Sequence, residues 1–173
     1  MKRTMGSLLV VVLAASFAVA AQVPTMGIAS PGSHHHRSAD VTFTKWVITV
    51  PPDHSTLASA NMTGAVGGDV GRGTYSGIVL KDDTTSRPGF WLGQAHYGFF
   101  GSKHSFVAHN FITENDTTTP VTAKIRGVII WGWMKGATVT GGYTLVDPCP
   151  IPTPGNVFGT GCLRGSLHLQ FGG

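Results

Sequence analysis

Eight stretches rich in β-branched and aromatic residues, bounded by glycine, proline or aspartate, follow one another from residue 41 to the end of the chain. They fall at 41–50, 58–66, 73–81, 89–100, 103–113, 121–133, 136–146 and 162–171. Runs of this kind, at this spacing and with turn residues between them, are the pattern of an antiparallel sandwich or barrel. Composition agrees. Glu114 is the sole glutamate against 24 glycines, and no segment offers a convincing amphipathic helix.

Alternation within the runs says where the apolar side goes. Around a turn at Met134-Lys135-Gly136, one face collects Ile125, Ile129, Trp131, Trp133, Val139, Tyr143 and Leu145. In that register Trp131 lies opposite Val139, and the other face carries Lys124, Arg126, Thr138, Thr140 and Thr144. The last run repeats the pattern, with Leu163, Leu167, Leu169 and Phe171 against Arg164, Ser166, His168 and Gln170. Sheets with one wet face, one apolar face and no helix to cover them must close on themselves or pair. The expected fold is therefore all-β and antiparallel, with about eight strands in a closed or nearly closed small barrel. Its lumen is either filled by side chains or left with room for one small ligand.

A second hairpin turns at Phe100-Gly101-Ser102-Lys103 and sets Tyr97 opposite Phe106 and His96 opposite Val107. One of its faces carries Trp91, Tyr97, Phe99, His104 and Phe106. The other carries Leu92, Gln94, His96, Val107, His109 and Phe111. Which face points inward decides whether the histidines line a cavity or decorate a wall.

The N-terminus reads as a leader. Lys2 and Arg3 precede an apolar run at 8–19 that ends in Ala18-Val19-Ala20, a small-x-small cleavage signal. The run falls short of the ~20 residues of a spanning helix. The expected organisation is a signal peptide at 1–20, a flexible N-terminal arm at 21–40 and a single β-barrel domain at 41–173. The product would be secreted or periplasmic, without a membrane span. The arm holds His34-His35-His36, a tract without a fixed second shell for metal. Net charge is +4 for the whole chain. It drops to roughly +2 once Lys2 and Arg3 leave, too weak a field to argue for nucleic acid. Cys149 and Cys162 are the two cysteines and flank a proline-rich turn. In an oxidising compartment they are expected to form a disulfide.

Several stretches resemble a group of secreted bacterial proteins of unassigned function. The carrying residues are Phe43-Thr44-Lys45-Trp46, the segment NMTGAVGGDVGRGTYSGIVL at 61–80, Lys103-His104-Ser105-Phe106, the segment GVIIWGWMKGATVTGGYTLV at 127–146, and Cys162-Leu163-Arg164-Gly165-Ser166-Leu167. This group is similar, more remotely, to the small barrels of allene oxide cyclases and dirigent proteins. The resemblance implies a barrel that takes up oily or aromatic molecules. It rests on strands and glycine turns, so no catalytic residue is carried over.

The residues themselves offer a few candidates for chemistry. Gln94, His96 and His109 share a face, with the two histidines as diagonal neighbours roughly 5–8 Å apart. Such a pair could exchange protons with a bound ligand, and packing against neighbours is the plainer alternative. Glu114 and Asp116 fall beyond the strand end in this reading. Tyr97 and the four tryptophans Trp46, Trp91, Trp131 and Trp133 could line a pocket for an aromatic or sugar ligand, or simply fill the core. The glycine-rich segment at 67–73 lacks the Gly-Lys-Ser/Thr ending of a phosphate loop and leads into a strand, so it reads as a turn. No metal site and no cofactor are expected. The leading expectation is a non-catalytic secreted barrel that binds a small apolar or aromatic ligand. The alternatives are an extracellular structural or surface interaction module, and a barrel-type isomerase or cyclase using His96 and His109.

Overall fold

Each of the expected runs becomes a strand in the computed structural model, which describes residues 38–51 and 57–171. The strands are β1 (Ser38–Thr49), β2 (Asn61–Gly68), β3 (Gly73–Asp83), β4 (Phe90–Gly101), β5 (Ser105–Asn115), β6 (Thr122–Gly132), β7 (Thr138–Val146) and β8 (Cys162–Gln170). Each is antiparallel to its neighbours in chain order. β8 returns to pair with β1, with Val41 opposite Leu167 and Lys45 opposite Leu163, so the sheet is a closed barrel. Closure leaves no unpaired edge in the barrel, which solves the problem posed by eight amphipathic strands with no helix among the described residues. The expected signal peptide, most of the expected arm and the histidine tract lie outside the described residues. β1 begins at Ser38, inside the stretch expected to be arm.

Alternation sets the inward positions. β1 turns Val41, Phe43 and Lys45 inward, β3 Tyr75 and Val79, β4 Trp91, Ala95, Tyr97 and Phe99, and β5 Phe106, Ala108, Asn110 and Ile112. β6 and β7 add Ile125, Ile129, Val139 and Tyr143, and β8 adds Leu167 and Leu169. The tryptophan–tyrosine face of the β4–β5 hairpin is thus the inner one. Two glycines make room for the larger rings. A Cβ on Gly93 would stand 2.0 Å from the Trp91 indole, and one on Gly77 2.6 Å from the Tyr75 hydroxyl.

Both expected registers shift by whole pleats, which keeps the faces and changes the partners. In β4–β5, Phe99 lies opposite Phe106, Tyr97 opposite Ala108, and His96 directly opposite His109. The turn extends through His104, whose carbonyl accepts from the Gly101 amide at 3.0 Å. In β6–β7, Val139 lies opposite Gly127 rather than Trp131. That loop is longer than expected, and Gly132, Met134 and Gly136 all take positive φ (84°, 56° and 90°).

A bulge near the end of β6 overturns the placement of Trp131. Ala108 pairs with Ile129 but Val107 pairs with Trp131, so Ile130 is an extra residue and the alternation inverts after it. Trp131 therefore faces outward and is 57% exposed. Trp133 lies in the following turn, half-buried, with its ring stacked on His104 at 4.0 Å.

The barrel's two ends differ. At the end carrying the 68–73, 101–104 and 132–137 turns, Val70, Phe99, Phe106, Ala137 and Leu169 are all fully buried. Val70 seals this end, and its carbonyl accepts the amides of Lys103 and His104 at 2.9 and 3.2 Å. The 67–73 glycines thus serve a tight turn, with Gly68 and Gly71 both at φ 78°. At the other end the lumen opens.

Candidate functional site

The open end holds a cavity of about 270 Å³. Its walls are apolar, formed by Trp46, Met62, Val79, Trp91 and Leu163 among others, and its depth is polar. Four side chains there come from four strands: Lys45 from β1, Tyr97 from β4, Glu114 from β5 and Tyr143 from β7.

Lys45 is the unexpected member. In the run Val41-Thr42-Phe43-Thr44-Lys45 it has the parity of Val41 and Phe43, so β1 carries it into the lumen, where it is 1% exposed. Its Nζ donates to the Tyr97 hydroxyl at 2.6 Å. It also sits 4.1 Å from the Tyr97 ring centroid and 4.5 Å from that of Tyr143, distances at which the ring faces attract a cation. No carboxylate among the described residues is in ion-pair contact with it. Burial therefore dominates and pulls its pKa down from 10.5 to about 7, with the charge of Glu114 opposing the fall.

Glu114 is inside the barrel because β5 runs through Asn115, two residues further than its sequence suggests, and places Glu114 opposite Trp91 and Ala123. Its Oε2 accepts from the Tyr143 hydroxyl at 2.5 Å. Burial raises its pKa above the ordinary carboxylate value, and the Tyr143 hydrogen bond resists that rise. Burial also pushes the Tyr97 and Tyr143 phenols up, so both stay protonated at neutral pH. Deeper in, Tyr75 packs edge-on to Tyr97 with centroids 5.4 Å apart. Among the described residues the buried Tyr75 hydroxyl has no hydrogen bond of good geometry, although Tyr97 is near enough to perturb it.

The loop between β7 and β8 overhangs this mouth. The Cys149–Cys162 disulfide, with Cα atoms 5.3 Å apart, closes it as expected. The Trp46 indole donates to the Pro154 carbonyl at 3.0 Å, and the Val157 amide to the Val47 carbonyl at 3.0 Å. Phe158, 61% exposed, lines the rim. The loop is thus tied both to its own base and to β1.

Of the residues expected to bind a ligand, Tyr97, Trp46 and Trp91 are in this cavity, and Gln94, His96, His109, Trp131 and Trp133 are not. His96 and His109 stand on the outer wall, half-buried, with ring centroids 5.2 Å apart, and Gln94 is on the same wall. The barrel wall separates them from the lumen, so proton exchange inside the barrel does not fall to them. Trp131 is exposed and Trp133 belongs to the closed end, for the reasons given above. Among the described residues, no group of three His, Cys, Asp or Glu side chains is placed to hold a metal.

A larger depression of about 1130 Å³ lies on the outer wall, where the Thr42, Thr44 and Thr144 side chains and Arg164 border it. It is broad and open. The smaller cavity is the better candidate because it collects the buried ionisable groups. Neither protein-family models, nor curated proteins, nor solved structures yield a match to this chain.

Proposed function

We propose that the barrel is an exported binding protein that holds a small, largely apolar molecule by one polar end. The observation behind this is the build of the open end: apolar walls over a depth that carries Lys45 and Tyr97. Ligand sites of this type combine apolar area for affinity with a few polar groups for orientation. At about 270 Å³ the cavity is below the usual range for drug-sized ligands, which favours a single-ring molecule or a short chain. The disulfide suits an oxidising compartment, in line with export.

Trp46 and Trp91 both line the cavity, so occupancy should alter their fluorescence. Titration with benzyl alcohol is expected to give saturable quenching that disappears in Met62→Trp, which fills the space. Unsaturable quenching, or equal quenching in the filled variant, would overturn the proposal.

A second reading has its own observation. Ile78, His96, His109 and Val128 form one row across the outer faces of β3–β6. Leu80, Phe100, Phe111, Ile130 and Trp131 are exposed around it, between 39% and 57%. An apolar wall of this extent marks an interaction surface. Its simplest partner is a second copy, since a two-fold contact needs only self-complementarity. Light scattering across a dilution series should then report a dimer that Trp131→Glu dissociates. A monomer at every concentration would remove this reading and leave the first intact.

A further inference from the structure

We propose that Lys45 is a covalent attachment point, and that the molecule held in the open end is an aldehyde or ketone that it captures as an imine. The inference rests on the binding role just proposed and adds a chemistry to it. The placement of the amine is the starting point. Lys45 reaches the apolar cavity from within the lumen, has no carboxylate in contact among the described residues, and is held by the Tyr97 hydroxyl at 2.6 Å. A lysine used only to neutralise an anionic ligand would have no use for a carboxyl lining the same cavity, yet Glu114 is there. An imine-forming lysine needs both a neutral amine and a nearby acid.

The groups facing Lys45 supply these conditions. Tyr75 on β3, Tyr97 on β4 and Tyr143 on β7 present phenols that burial keeps protonated, and Glu114 on β5 is the carboxyl. None of them pairs directly with the amine as a salt bridge, and burial makes the neutral amine abundant at neutral pH. The Nζ lone pair attacks the carbonyl carbon. A C–N bond forms as the carbonyl π pair moves to oxygen, which takes up a proton while the nitrogen loses one. The carbinolamine then expels its hydroxyl, protonated to water, as the nitrogen lone pair closes C=N. Loss of the last N–H proton leaves a neutral imine and one water. Glu114, held protonated to higher pH than an ordinary carboxyl, can protonate the departing hydroxyl and take back the final proton. The apolar walls limit the water that would reverse the capture.

The probe is benzaldehyde with cyanoborohydride, whose hydride fixes the imine as a stable benzylamine, read by intact mass and peptide mapping. One benzyl group on the Lys45 peptide is expected, ahead of the exposed Lys103 and Lys135. The trapping rate should climb as pH passes about 7. Glu114→Gln should slow trapping by roughly 100-fold at neutral pH, the lower bound for general acid–base assistance. Lys45→Met should abolish the adduct while keeping a single cooperative urea-unfolding transition, which shows that the variant is folded. Adducts spread over the exposed lysines would overturn the inference. So would an unmodified Lys45 in a protein that still binds benzyl alcohol, and that outcome would spare the binding role. Failure to bind either probe would overturn both.

Discussion

The closed and open ends of this barrel are made by the same eight strands and differ in what the inward positions carry. At the closed end they carry Phe99, Phe106 and Leu169, capped by Val70 from a turn. Phe99 stacks on Phe106 with centroids 4.7 Å apart and meets Tyr75 and Phe43 edge-on. Such a core needs only shape. At the open end the same parity delivers Lys45, Tyr97, Glu114 and Tyr143, each of which loses hydration on burial and must be repaid by a neighbour. Among the described residues that repayment is incomplete, since Lys45 has no carboxylate in contact and the nearby Tyr75 hydroxyl has no good partner. One end thus holds the barrel together, and the other spends some of that stability on a polar, partly hollow interior, as binding sites do.

If this division is right, truncation should hurt far more at the closed end. Phe99→Ala is expected to cost about 3–5 kcal/mol, because a fully buried ring is lost from a packed core. Leu163→Ala, at the half-buried wall of a space that already exists, should cost only about 1 kcal/mol. Urea unfolding of the two variants measures this directly. Equal losses would mean that the cavity wall is as tightly packed as the sealed end.

The frame of this comparison is legible in the sequence, and its chemistry is only partly so. Two-residue alternation in runs such as Leu163–Leu169 separates inside from outside without any knowledge of register. The two hairpin registers were displaced by whole pleats because turn length is set by tertiary contacts, such as those of the Val70 carbonyl with the 101–104 turn. Whole-pleat shifts preserve faces, so Tyr97, Phe99 and Tyr143 kept their predicted sides. Trp131 did not, because the single extra residue at Ile130 inverts the alternation, and nothing in Val128-Ile129-Ile130-Trp131 marks which residue is extra. Lys45 was legible in principle, as a charge on the parity of Val41 and Phe43. Its partners were not, because only closure of β1 onto β8 and the path around the barrel bring β4, β5 and β7 to face it.

Lys45 also lets pH separate the two ends. Its pKa in the folded state, about 7, lies below the ordinary 10.5, so between these values the unfolded chain binds the proton and the folded chain does not. Stability from this group therefore rises with pH across that window, and its full cost is present below about pH 7. Glu114 has the opposite sign. Its raised folded value makes stability fall as pH rises from 4.5 toward that value. Wild-type stability should thus pass through a dip on the acid side of neutrality. Lys45→Met should gain about 1–4 kcal/mol below pH 7, a gain that fades towards pH 10.5. Denaturant midpoints across the pH range report it. A gain independent of pH would attribute the effect to packing instead of charge.

The smallest change in stability is expected at the rim, and it separates holding the fold from holding a ligand. Phe158 is 61% exposed and belongs to a loop tied down elsewhere, by the Cys149–Cys162 disulfide, the Trp46–Pro154 hydrogen bond and the Val157–Val47 bond. Phe158→Ala removes little buried area from the folded state, so the denaturant midpoint should stay within about 0.5 kcal/mol of wild type. The same ring lines the cavity mouth, and its loss uncovers one side of a bound molecule. An apolar contact of partial depth contributes about 1 kcal/mol, so benzyl alcohol affinity should fall by roughly fivefold. Fluorescence titration and urea unfolding on one preparation give both numbers. A loss of stability without a loss of affinity would make the loop part of the barrel's packing, and the open end would then owe its shape to the fold alone.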